Sequence, residues 1–157
     1  MNEISLSIIE QTRKHLECLH GTDIEHADAR QLHECLARAF VEQYAPLWNA
    51  CRREHASKRR AYYLSAEYLV GRLIYNDLMN AGIAEDISAL LSEKGRDLAE
   101  FEDIEAASLG NGGLGRLSAC FLDSAAAHSV PLDGYGLRYR FGLFRQSFED
   151  GAQKEEA

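Results

Sequence analysis

The chain is short of proline, of paired cysteines, of long apolar runs and of positive charge, and each shortage closes off a class of protein. Two prolines in 157 residues, Pro46 and Pro131, leave no room for a proline-rich linker. The four cysteines, Cys18, Cys35, Cys51 and Cys120, form no Cys-x-x-Cys pair. Reduced thiols in a cytoplasmic protein are therefore expected, with no disulfide framework and no metal site. No run approaches the ~18 apolar residues of a membrane span, and Met1-Asn2-Glu3-Ile4-Ser5 lacks the basic and apolar regions of a signal peptide. Seventeen Lys and Arg stand against 25 Asp and Glu, a net charge of −8, which argues against a nucleic-acid partner. A small molecule or another protein is the expected partner, with no membrane involved.

What is present is mainly helical periodicity. Ile4, Ile8, Ile9, Leu16 and Leu19 share a face and Gly21 follows as a stop; Leu32, Leu36 and Phe40 mark a second helix from about 28, which Pro46 is expected to kink or divide. The basic run Arg52, Arg53, Lys58, Arg59 and Arg60 reads first as a solvated face. Tyr62-Tyr63-Leu64-Ser65 predicts a short buried strand. A helix with Val70, Leu73, Ile74 and Leu78 inward should end at Gly82, another with Ile87, Leu90 and Leu91 inward at Gly95, and Leu98, Phe101 and Ile104 suggest a shorter one. The acidic residues Glu100, Glu102, Asp103 and Glu105 read as its wet face.

The most unusual stretch is Ser108-Leu109-Gly110-Asn111-Gly112-Gly113-Leu114-Gly115-Arg116-Leu117. Four glycines in six positions suggest backbone conformations that side chains forbid. Leu114, Leu117, Phe121 and Ala125 then recur at helical spacing, as the inward face of a helix ending near His128. A glycine loop opening a helix exposes unpaired N–H groups at the positive end of the helix dipole, a natural anion site. Asp133-Gly134 reads as a turn. Tyr135, Leu137, Tyr139, Phe141 and Leu143 then alternate with Gly136, Arg138, Arg140 and Gly142, as in a strand with one apolar face. Asp150-Gly151 signals a hairpin turn. At most three strands would leave sheet edges bare, so the chain is expected to be part of something longer.

Other motifs fall short. Gly110-x-Gly112-x-x-Gly115 has the dinucleotide-binding spacing, but acidic, helix-like residues precede it where a strand is required. Arg116 and Leu117 stand where a P-loop needs Lys and Ser or Thr. A loop that merely packs its helix tightly stays open as an alternative. His33-Glu34-Cys35-Leu36-Ala37 lacks the second histidine of a zinc-protease motif; His128 reads as a surface or capping residue. Ser118 and Cys120 have no evident base and read as packing residues.

Three blocks nevertheless carry a resemblance. Tyr62 to Arg72 (YYLSAEYLVGR), Leu109 to Ser124 (LGNGGLGRLSACFLDS), and Gly134 to Tyr139 (GYGLRY) continuing into Phe141 to Gln146 (FGLFRQ) are similar to the N-terminal part of the α-glucan phosphorylases. These are the glycogen, starch and maltodextrin phosphorylases, and the bacterial type fits best. The resemblance implies an α/β fold, the incomplete N-terminal part of a Rossmann-like, GT-B type glycosyltransferase domain. Residues 1–60 would be N-terminal helices, and 61–157 the start of the α/β core with the glycine loop 110–115. It implies a pyridoxal-phosphate enzyme that cleaves the terminal α-1,4-glucosidic bond with inorganic phosphate, retaining configuration in glucose 1-phosphate. The cofactor's phosphate would take part in proton transfer. Gly112, Gly113 and Leu114 match positions whose backbone faces the phosphates and the glucosyl unit, and Glu67 matches an acidic residue of the active-site wall.

Ala106-Ala107-Ser108 departs from the family's usual lead-in to the loop, and no Arg-Lys-x-x-Ser-Val tail is found, so the animal enzymes' phosphorylation control is expected to be absent. The family's Schiff-base lysine lies far beyond position 157. The expectation is an N-terminal fragment with no activity of its own, forming a homo-oligomer. The alternatives are a non-catalytic phosphate- or glucan-binding or dimerisation module and, more remotely, a dinucleotide-binding domain.

Overall fold

The computed structural model describes residues 2–104, 107, 109–141 and 144–156. They form two compact units, one of residues 1–52 and 72–105, the other of 53–71 and 106–157.

The first unit is helical. Helix α1 (Glu3–His20) opens on Asn2, whose side chain accepts the Ile4 N–H, and closes on Gly21 at φ +62°. Helix α2 (Ala29–His55) runs through Pro46 undivided. After a gap come α3 (Leu73–Asn80), α4 (Ala84–Ser92) and a 3-10 turn at Leu98–Phe101. Gly82 and Gly95 both take positive φ where α3 and α4 end, the left-handed stop that glycine supplies without strain. The core gathers Ile8, Leu16, Leu32, Leu36, Leu78 and Leu91, all fully buried.

Polar ties complete this unit. Arg96 donates to the carbonyls of Ile24 (2.5 Å) and Ala27 (2.8 Å) and pairs with Glu100, so Glu100 is half-buried in an ion pair and is not part of a wet face. Glu105 lies outside the described residues. Leu19 and Leu73, expected inward, are exposed, and Val70 precedes α3 altogether. His33 stacks edge-on against Phe101 at 5.2 Å, and burial pushes its pKa down, which keeps it neutral as a packing residue.

The second unit holds all the described strands. Strand β1 (Ala61–Leu64) pairs in parallel with β2 (Leu132–Tyr135), Ala61 opposite Leu132 and Leu64 opposite Tyr135. Asp133-Gly134 is thus strand and not turn: its backbone is used in the ladder, and Asp133 holds Arg60 at 2.7 Å. The long strand expected over 135–143 is absent. After Tyr135 the described residues 136–141 are irregular, while Gly142 and Leu143 lie outside the described residues. Alternation makes a strand only where a partner offers hydrogen bonds. Strands β3 (Arg145–Glu149) and β4 (Ala152–Glu156) form an antiparallel hairpin, and Asp150 (φ 51°) and Gly151 (φ 77°) make the turn that hairpins favour. The return strand is as long as the outgoing one, giving four strands among the described residues where at most three were expected.

Helix α5 (Gly113–Ala127) lies between β1 and β2 in this unit's sequence. Its buried residues are Gly115, Ser118 and Ala119, while Leu114, Leu117 and Phe121 are 53%, 50% and 46% exposed. The face expected inward is therefore outward. Small residues take the buried side because the chain they pack on comes too close for larger ones.

In the first unit Asp86 accepts the Asn2 N–H (2.7 Å) and the Ser5 hydroxyl (3.1 Å), joining α4 to the start of α1. Those bonds hold its pKa below the ordinary 3.8, so its stabilisation is full above the ordinary carboxylate range and is lost as pH falls through it. Circular-dichroism melts taken from about pH 7 down to about pH 3 should show a falling midpoint. In Asp86→Asn, which keeps an acceptor but cannot titrate, the acid-side slope should be shallower; an unchanged slope would show that this contact does not contribute.

Candidate functional site

The site grows from the end of β1. Ser65 N–H extends the ladder to the Tyr135 carbonyl (3.0 Å), and the Ser65 hydroxyl donates to the Glu67 carbonyl (2.9 Å), turning the chain sharply. Tyr68 is then driven inside, 7% exposed, with its hydroxyl donating to the Tyr63 carbonyl at 2.6 Å. Its ring lies where side chains on Gly134 and Gly136 would be: a Cβ there would come within 3.0 Å and 2.8 Å of Tyr68 atoms. Glycines at these two positions are the cost of seating an aromatic ring against the end of β2.

The same turn receives the glycine loop. Tyr68 N–H donates to the Leu109 carbonyl (2.7 Å) and Leu69 N–H to the Gly115 carbonyl (2.9 Å), so two backbones run against each other. A Cβ on Gly110 would sit 2.9 Å from both the Glu67 Cβ and the Tyr68 nitrogen, and one on Gly115 2.9 Å from the Leu69 nitrogen. Ser118, fully buried on α5, donates to the Ser65 hydroxyl (2.8 Å), and the Glu67 carboxylate accepts the Asn111 N–H (3.3 Å).

Gly112 and Gly113 differ. A Cβ on either would meet nothing within 4 Å. No glycine of the loop has positive φ; Gly112, the α5 N-cap, is extended at φ −143°. The conformational explanation expected for this loop is thus corrected: Gly110 and Gly115 are glycine because of contact, while Gly112 and Gly113 border open space. No side chain caps α5, and among the described residues the Gly113 and Leu114 N–H groups have no hydrogen-bond partner. Unpaired N–H groups at the start of a 15-residue helix, beside backbone that carries no side chain, can receive an anion at close range.

The loop lies at the carboxyl ends of β1 and β2, where parallel α/β sheets collect ligands. A cleft of about 410 Å³, lined by Leu64, Ser65, Ala66, Tyr135, Gly136 and Leu137, opens at the same ends. Gly112, Gly113, Leu114 and Glu67 are brought together, although Glu67 faces the loop backbone. Ser65, Tyr68 and Ser118 were not singled out as site residues from the sequence; the paired glycines of Gly134-Tyr135-Gly136 were the available sign of the buried ring. Cys120 is exposed and His128 caps the end of α5. Ala106 and Ser108, part of the lead-in, lie outside the described residues. Among the described residues the element next before the loop is the 3-10 turn Leu98–Phe101 and not a strand, which leaves the dinucleotide fingerprint without its context.

An α/β chain with a glycine loop opening a helix at the strand ends is the class this geometry defines. Within it, the chain belongs to the carbohydrate phosphorylase family, whose model matches residues 91–157. It is 45% identical to a maltodextrin phosphorylase of Streptococcus pneumoniae over 112 residues, 71% of this chain and 15% of that protein. It is 39% identical to the liver glycogen phosphorylase of Homo sapiens over 147 residues (92% and 17%), and 39% identical to a glycogen phosphorylase of Chlamydia trachomatis over 134 residues (83% and 16%). The chain thus spans about one-sixth of the length of these relatives. No helix among the described residues is long and apolar enough to cross a membrane.

The two kinds of glycine predict opposite responses to substitution. Gly110→Ala and Gly115→Ala force backbone apart and should cost about 1–3 kcal/mol each in urea denaturation. Gly112→Ala and Gly113→Ala should leave the midpoint near that of the parent, or raise it slightly. Equal losses at all four positions would contradict the contact-based division.

Proposed function

We propose that this chain supplies one wall of an α-1,4-glucan phosphorylase active site, with Gly112, Gly113 and Leu114 turning backbone N–H groups toward phosphate and the transferring glucosyl unit. The observation that carries it is the open space at Gly112 and Gly113 beside unpartnered helix-start donors. Donors fixed in advance favour charge developing in phosphoryl and glucosyl chemistry at no reorganisation cost. The reaction proposed for the whole enzyme is retaining phosphorolysis of a terminal α-1,4 bond to glucose 1-phosphate, in the cytoplasm, within a GT-B type domain that begins in residues 61–157.

Such an enzyme would carry pyridoxal phosphate, and the residues here fit only its phosphate end. Lys14, Lys58, Lys94 and Lys154 all sit in ion pairs with carboxylates, none of them at the loop. When bound, the cofactor would supply a second phosphate for proton exchange with the substrate phosphate. This chain's part is to orient anions, and we take it to be inactive alone.

A second reading, a self-associating module, is favoured by the exposed Leu114, Leu117 and Phe121. Light scattering that gave a concentration-dependent mass would support a homo-oligomer.

The decisive experiment grafts residues 28–157 in place of the matching stretch of the Streptococcus pneumoniae maltodextrin phosphorylase. The graft should release glucose 1-phosphate from maltodextrin and phosphate, the 157-residue chain alone should not, and Gly113→Ala within the graft, which keeps the N–H but puts a methyl group where the bound groups must sit, should cut kcat by about 100-fold. A folded graft without activity, or one indifferent to Gly113→Ala, would sink the proposal.

A further inference from the structure

Glu67 has a contact that an active-site wall does not require. Its carboxylate reaches back to accept the N–H of Asn111, 44 residues away in sequence and immediately before the open pair Gly112-Gly113. The rest of its turn is fixed independently: Ser65 and Ser118 join their hydroxyls at 2.8 Å, Tyr68 N–H reaches Leu109, and Leu69 N–H reaches Gly115. Backbone bonds thus clamp the loop at residues 109 and 115. Between them, the carboxylate arm of Glu67 is the one side-chain acceptor recorded for a loop N–H among the described residues.

We propose that Glu67 is a positioning residue. By occupying the Asn111 N–H it fixes the middle of the loop and removes that donor from the set an anion can use, so that an anion meets the chain from Gly112 onward. A carboxylate is suited to the task because a charged acceptor makes a stronger bond to a backbone N–H than a neutral one, and because it repels an anion that would settle one residue too early. The register of the anion rests on the phosphate reading above; the hold on Asn111 does not.

The test is nuclear magnetic resonance on the 157-residue chain and two variants. Glu67→Ala keeps the Cβ that packs against Gly110 and removes only the acceptor; Glu67→Gln keeps an acceptor and removes the charge. In Glu67→Ala the Asn111 amide proton should move upfield and exchange about 3- to 10-fold faster, the protection that one net hydrogen bond supplies, with the melting midpoint lowered by no more than the few degrees such a bond accounts for. Glu67→Gln should restore most of that protection. An Asn111 amide unaltered in Glu67→Ala overturns the proposal, as does a Glu67→Gln variant indistinguishable from Glu67→Ala.

Inorganic phosphate alone is then titrated. In the parent the Gly113 and Leu114 amides should shift and Asn111 should not; in Glu67→Ala, Asn111 should join them. Asn111 moving with Gly113 in the parent overturns the register. If no loop amide responds to phosphate in any variant, the phosphate reading fails, while the exchange rates still decide whether Glu67 holds the loop.

Discussion

Two stretches of backbone, the turn after β1 and the loop before α5, approach until no side chain fits between them. Gly110 and Gly115 permit that approach, and Tyr68 and Leu69 N–H groups secure it. Such a contact is short-ranged and unforgiving, since a single methyl group would meet backbone at 2.9 Å. Much follows from it. It sets where α5 begins, and it forces the helix's buried side to be Gly115, Ser118 and Ala119. It leaves the helix's first donors, the Gly113 and Leu114 N–H groups, without a partner among the described residues.

The two units cohere by different means. The first is a helical cluster with an apolar core, helped by Arg96 collecting the Ile24 and Ala27 carbonyls. In the second, Tyr68 and Ala119 are the buried apolar side chains among the described residues, and order comes from hydrogen bonds and near-contact of backbone. Area-based stabilisation is small in such an arrangement. Directional bonds cost more to misplace than apolar contacts do.

Legibility in the sequence followed the range of the interaction. Helices α1, α2 and α4 were readable because apolar period and glycine stop are local signals, and the Asp150-Gly151 hairpin was readable for the same reason. The 135–143 alternation misled because Tyr135 ends a ladder whose partner, Leu64, cannot be known from local pattern. Leu114, Leu117 and Phe121 misled because helical period reveals a face without saying what covers it. For the candidate site, Gly112, Gly113 and Leu114 were marked by composition and resemblance. The reason for Gly110 and Gly115 was not visible, since it resides in residues 67–69, and neither was the seat of Tyr68 against Gly134 and Gly136.

The parallel pairing of β1 with β2 has a consequence for the order of folding. Everything between the turn and the loop, including α3 and α4, is synthesised before the glycine loop exists, and β2 comes later still. Contacts this distant along the chain close slowly, since the intervening entropy must be lost before any bond repays it. Helices α3 and α4, built from near neighbours, can settle in the meantime, while β1 waits with both edges bare. A nascent chain stalled at this point would present Tyr62-Tyr63-Leu64 as an unpaired strand, which makes the interval before β2 emerges the one in which the molecule is most exposed to misassembly.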